Sequence, residues 1–360
     1  ISIIRISFYL FKPHSIQWGN MSMKIWDWWR VWKYTNNSTR STNYFASVQR
    51  CFEDPESIWG ADDDTDIEYL YQHLLLTHET NELTGEQIRN GWLQHIWSDA
   101  ETPFRNRNDQ PENFLWVSNQ RAFDLMSEKG AVPPATSDPQ SNPDFDMIDA
   151  QLTTEIFGLF APGRPDVALS MAYLPIRTTA RGEAALAAEF YVRMHALASV
   201  TDPDQSMKQR VRWLGAEAHR HLPADSYTAK MYNFVENRYL AGVPWEQARD
   251  DIYVRYQVKQ QDGYDITSRN MVCNGCFAAG INFAASIVSL LYGEGDYEET
   301  VKIAVLAGWD SDNPAATWGG LLGFMLGKDK NFWVFSSKKT WWVSFEQDSI
   351  LWVDASSIEK

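Results

Sequence analysis

Residues 280–293, GINFAASIVSLLYG, carry apolar or small side chains almost all the way around a helix. A helix with no polar face belongs in an interior, enclosed by other elements. It ends at Gly293, a residue suited to a helix C-terminus. From about residue 55 onward the pattern is helical and supplies an enclosing layer. In DIEYLYQHLLL, Ile67, Leu70, Tyr71, Leu74 and Leu75 recur at i, i+3, i+4, i+7 and i+8, one helix face. RGEAALAAEFYVRMHALASV, residues 181–200, is rich in strong helix formers. DYEETVKIAVLAG opens with Asp296 and Glu299 in capping-box spacing. Between 100 and 145 the chain turns to Pro, Asn, Asp and Ser, with AVPPATSDPQSNPDFD as a long loop. No internal repeat is present.

The two ends differ from this middle. Residues 1–50 hold seven Lys or Arg and one acid, Asp27, with a Trp-dense run at 26–32. Beyond 328 the runs NFWVF, TWWVSF and ILWV are short, aromatic and β-branched. They read as a small three-stranded meander or as a tail. The expected organisation is an atypical segment 1–54, a helical domain 55–328 and an aromatic extension 329–360. The opening ISIIRISFYLF carries Arg5 and no initiator Met. A trimmed start, a fragment and a remnant of a targeting segment all fit it.

Charge narrows the partners. The chain of 360 residues has a net charge of −15, so nucleic acid and anionic membrane are not expected partners. No apolar run approaches the roughly 18 residues of a membrane span. Three cysteines, Cys51, Cys273 and Cys276, argue against a disulfide scaffold and favour a reducing, cytoplasmic location. Cys273 and Cys276 form a Cys-x-x-Cys without the βαβ context of a redox motif or a second pair for zinc, and read as a buried helical thiol pair. His219 and His221, at i and i+2, read as a solvated helix end.

Two acidic corners stand out. In LAGWDSDNPAATWGG, residues 306–320, Asp310, Asp312 and Asn313 precede a run of small residues. Pro314 suits a first helical position, which makes Asn313 the expected N-cap. Ala315, Gly319, Gly323 and Gly327 then recur every four residues. Each mid-helix glycine costs about 1 kcal/mol against alanine, so this helix is expected to pack its backbone close against a neighbour. In GADDDTDIEYL, Asp62, Asp63, Asp64 and Asp66 precede the amphipathic helix described above. Capping accounts for one acid at each corner. Three consecutive aspartates crowd like charges, which favours a cation, and oxygen-only ligands suit Mg²⁺ or Mn²⁺ rather than Zn²⁺.

At these residues the chain resembles the ADP-ribosylglycohydrolase family. GADDDTDIEYLYQHLL is similar to that family's Thr/Ser-Asp-Asp-Thr segment. LAGWDSDNPAATWGGLLGFMLG is similar to its late Gly-Gly-Asp-Thr-Asp-Thr segment and the small-residue helix after it. Between them, IDAQLTTEIFGLFAPGRPDVALSMA resembles its Ile-x-x-Gln helix and Pro-Gly-x-Pro block. The resemblance covers about 55–328. It implies an all-α bundle and two Mg²⁺ or Mn²⁺ ions, held by Asp62, Asp63, Asp64, Asp310, Asp312 and Asn313. It also implies hydrolysis of the glycosidic bond linking ADP-ribose to a protein or a small molecule, or of a related N- or O-ribosyl glycoside. Asn119, in LWVSNQRAF, is expected to contact substrate.

Departures are visible too. Asp62 stands where the family has Thr or Ser, Asn313 where it has Thr, and Trp309 where it has Gly. The family's N-terminal Gly-rich helix and its downstream catalytic Glu have no counterpart in residues 1–50, which contain no Glu. The catalytic residues are therefore unassigned. The alternative to an enzyme is an inactive family member that serves as a structural or ligand-binding protein.

Overall fold

The computed structural model describes residues 63–102, 105, 109–113, 115–266 and 275–327. Asp62, the Trp-rich run, Cys51, Cys273, and the segments 1–54 and 329–360 with the expected meander lie outside the described residues. Among the described residues the protein is all-α, with no sheet. They divide near residue 200 into two compact units.

The first unit runs to residue 200. Its helices are α1 (Asp63–Thr77), α2 (Gly85–His95), α3 (Val117–Lys129), α4 (Asp149–Thr153), α5 (Ile156–Phe160), α6 (Pro165–Thr179) and α7 (Gly182–Ala198). The apolar stripe of α1 is buried at Ile67, Leu70, Tyr71 and Leu74, with Leu75 half-buried. α2 starts on a reciprocal cap. The Gln87 N–H donates to Thr84 Oγ1 at 3.2 Å, and the Thr84 N–H donates to Gln87 Oε1 at 2.8 Å. α6 starts at Pro165, whose missing N–H costs nothing at a first helical position.

α7 forms the centre of this unit and packs against α4, α5 and α6. Its alanines 184, 185, 187, 188, 196 and 198 are buried, and their small size lets neighbours approach closely. One such close approach is at Gly158 of α5. A Cβ there would collide with the Val192 carbonyl oxygen and lie 2.7 Å from the Ala196 nitrogen. The 100–145 stretch is not loop throughout, because α3 lies inside it. Ala122, Phe123, Leu125 and Met126 give α3 a buried face that its polar composition disguises.

The second unit holds α8 (Met207–His219), α9 (Tyr227–Leu240), α10 (Trp245–Ile252), a π-helical turn Tyr253–Val258, α11 (Ala279–Tyr292), α12 (Tyr297–Ala307) and α13 (Asp312–Leu326). α11 is the nearly all-apolar helix, buried from Ala279 to Leu291. α8, α9, α10, α12 and α13 all pack on it. α12 begins with Asp296 accepting the Glu299 N–H at 2.8 Å. The return half of that capping box is not formed, because the Glu299 carboxylate accepts from Lys302 instead.

Three expectations are corrected here. At Gly319 the α13 glycine stripe does not mark close backbone contact. A Cβ on Gly319 would meet only Tyr297 Oη at 3.5 Å and Val301 Cγ2 at 3.7 Å, so side chains of α12 fill the groove. Gly327 ends the helix at φ +79° rather than continuing the stripe. Cys276 is buried in a turn ahead of α11 and is disulfide-bonded, not a helical thiol. His219 lies half-buried, its ring stacked on Tyr232 with centroids 4.6 Å apart.

Candidate functional site

The first acidic corner begins α1. Asp63 is buried, Asp64 is half-buried and Asp66 is buried. The Asp63 carboxylate meets the start of α3. Its Oδ2 accepts the Trp116 backbone N–H at 2.8 Å and the Asn119 side-chain N–H at 2.8 Å. A second carboxylate reaches the same turn from α4. Asp149 Oδ1 accepts the Asn119 backbone N–H at 2.8 Å.

This arrangement has a local cause. The first four N–H groups of any helix lack intrahelical partners. Trp116, the N-cap of α3, has no side chain able to serve them. Carboxylates from α1 and α4 do so instead, and anionic groups are favoured at that end of the helix dipole.

The electrostatics of this corner are unusual. Burial, then the charge of Asp149, pushes Asp63 up to about 7, despite the lowering hydrogen bonds from Asn119 and Trp116. Burial likewise pushes Asp149 up to about 6. Further along α1, Glu68 is buried and accepts the Ile156 N–H. Burial and the neighbouring charge of Glu155 hold its carboxyl well above the usual range. The unit thus carries several carboxyl groups at positions where low dielectric disfavours the ionised form.

The second corner joins α12 to α13. Gly308 has φ +98° and Trp309 φ +59°. A left-handed backbone is natural for glycine and rare for a bulky residue. The Gly-to-Trp departure therefore falls at a position where the backbone itself favours glycine. The indole compensates: it is buried, and its N–H donates to Gln257 Oε1 at 2.7 Å. The next residue is held as well, with the Asp310 N–H donating to Asn282 Oδ1 at 3.0 Å.

α13 starts at Asp312, not after Asn313. Asn313 is therefore not the N-cap. It lies in the first turn, buried, with its side-chain N–H donating to Thr317 Oγ1 at 3.3 Å and its Oδ1 without a hydrogen-bond partner. Pro314 fits two places deeper than expected because the whole first turn lacks N–H acceptors. Asp312 is exposed and Asp310 half-buried.

Among the described residues, no three or more His, Cys, Asp or Glu side chains gather as a metal-binding group. Each corner still presents hard oxygen donors of the kind Mg²⁺ and Mn²⁺ take. The first has Asp63 and Asp64. The second has Asp310, Asp312 and the Asn313 Oδ1 atom, which is buried without a partner. The donor chemistry fits such an ion. Asn119 has its side-chain N–H directed at Asp63. Asp149, Glu68 and Glu155 were not legible as site residues, since nothing in their local sequence signals that they are buried near the start of α1 or α3.

Among the described residues the fold is all-α, with acidic residues at the starts of α1 and α13. Among the described residues no helix is long and apolar enough to cross a membrane. The ADP-ribosylglycohydrolase family model matches residues 32–331, and the chain belongs to that family. Neither a curated protein nor a solved structure matches it. Membership supports glycohydrolase activity on ADP-ribose-type substrates.

Proposed function

We propose that this protein hydrolyses the glycosidic bond joining ADP-ribose to a protein side chain or to a small molecule, with Mg²⁺ or Mn²⁺ as cofactor. Asp63 and Asp64, together with Asp310, Asp312 and Asn313, are the proposed ligands, and Asp62 joins them by its place in the motif. Asp63 carries the reading. It is a buried carboxylate at the head of the family's first acidic segment, pushed up to about 7. A carboxylate so placed is either protonated or paired with a cation. Bound divalent ions supply Lewis acidity and orient substrate oxygens. The chain's own contribution is to hold the carboxylates in fixed directions from the rigid starts of α1 and α13.

The test is calorimetric titration of the metal-free protein with Mg²⁺ and Mn²⁺, with and without ADP-ribose. Release of labelled ADP-ribose from an ADP-ribosylated protein is followed alongside. Wild type is expected to bind Mn²⁺, to bind ADP-ribose only with the metal, and to release the label. Asp312→Ala is expected to lose all three. Metal and ADP-ribose binding without release selects a binding protein over an enzyme. Absence of metal binding by folded wild type reduces the corners to helix caps.

A further inference from the structure

We propose that Asn119 is a positioning residue for Asp63, acting through it rather than touching substrate. The inference rests on the reading of Asp63 as a metal ligand. Asn119 is completely buried, which does not suit a direct contact with an arriving molecule. Its amide is spent inward. The side-chain N–H donates to Asp63 Oδ2 at 2.8 Å, and a carboxylate can only accept, which fixes the amide's orientation. The Trp116 N–H falls on the same oxygen. Two donors on one oxygen hold the carboxylate against rotation.

The turn that carries both donors is itself held. Asp149 accepts the Asn119 backbone N–H from α4. Between the two donors sits Val117 at φ +28°, a backbone conformation that a β-branched residue strongly resists. Asn119 Oδ1 is buried without a hydrogen-bond partner, although buried acceptors are nearly always satisfied. Strain at Val117 and an unsatisfied amide oxygen both oppose stability. Each follows from aiming this turn at Asp63. Costs of this kind concentrate where a structure holds functional groups in place.

The experiment compares wild type, Asn119→Ala and the equally sized Asn119→Asp. Asn119→Asp keeps the backbone bond to Asp149 and replaces the donor facing Asp63 with an acceptor. The readouts are Mn²⁺ affinity, kcat and KM for release of ADP-ribose from ADP-ribosylated protein, and far-UV circular dichroism. Removing a group that orients a metal ligand typically costs about 10–100-fold in affinity or activity. Both variants are expected to bind Mn²⁺ more weakly by about that factor and to lose kcat similarly, with KM within about threefold because substrate contacts remain. Folded variants with wild-type Mn²⁺ affinity and kcat overturn the proposal while leaving the metal reading intact. A fall in substrate affinity alone makes Asn119 a substrate contact and also overturns it. If neither variant folds, the bond is structural and the positioning role is refuted. Wild type that binds no Mn²⁺ and releases no ADP-ribose removes both readings together.

Discussion

Replacing Asp149 with asparagine should stabilise the metal-free protein, and only above about pH 4. Asp149 is fully buried and its carboxyl is raised from 3.8 to about 6, chiefly by burial. A raised carboxyl means that the folded state keeps its proton after the unfolded chain has released it. Stability is therefore lost as pH climbs from the unfolded value through the folded one. The shift is about two pH units, and each unit is worth 1.36 kcal/mol, so ionising Asp149 costs the fold about 3 kcal/mol by pH 7. Asp149→Asn removes that cost while its side-chain oxygen can still accept the Asn119 N–H. Asp63 benefits as well, because the charge of Asp149 is the second cause of its own elevation. The assay is urea denaturation in EDTA at intervals from pH 4 to pH 7.5. The variant and wild type should differ little at pH 4. The gap should then open in favour of the variant at just over 1 kcal/mol per pH unit and flatten near pH 7. A gap independent of pH, or a variant that weakens relative to wild type as pH rises, would refute the reasoning.

Other perturbations follow from the same geometry. Gly158→Ala drives a methyl into helix backbone of α7 that cannot yield; a loss of about 1–3 kcal/mol or more is expected in chemical denaturation. Trp309→Gly relieves the left-handed backbone but empties a buried indole site and removes the N–H that donates to Gln257 Oε1. The typical 3–5 kcal/mol loss for a large aromatic exceeds the gain of about 1–2 kcal/mol, so a lower melting temperature is expected. Ser206→Ala removes the oxygen that caps the Gln209 N–H of α8 and should cost about 1 kcal/mol, measurable as a small shift in the urea midpoint.

How much of this was legible in advance depends on the range over which each cause acts. α1 and α11 could be read from side-chain periodicity, and α12 from its capping aspartate, because those signals operate within a turn or two. α3 was hidden in a polar stretch, since four buried apolar side chains among thirteen residues form a helix face only once α2, α4 and α6 pack nearby. At Gly319 of α13 the residue was read correctly as small, but what packs against it was not. Whether a glycine stripe receives backbone or a neighbour's side chain depends on what the neighbour carries, here Tyr297 and Val301.

The amino-acid sequence by itself determined that this chain is helical, that its most apolar helix lies at a centre, and that carboxylates cluster at two helix starts. These are consequences of composition and spacing over a few residues. Only the tertiary structure decided what those carboxylates do. Asp63 meets an amide 56 positions away, and Asp149 reaches an N–H 30 positions away. Their proton affinities rise because other segments exclude water around them. Desolvation and long-range hydrogen bonds are properties of the packed chain, and no local pattern of residues encodes which distant groups will share a buried site.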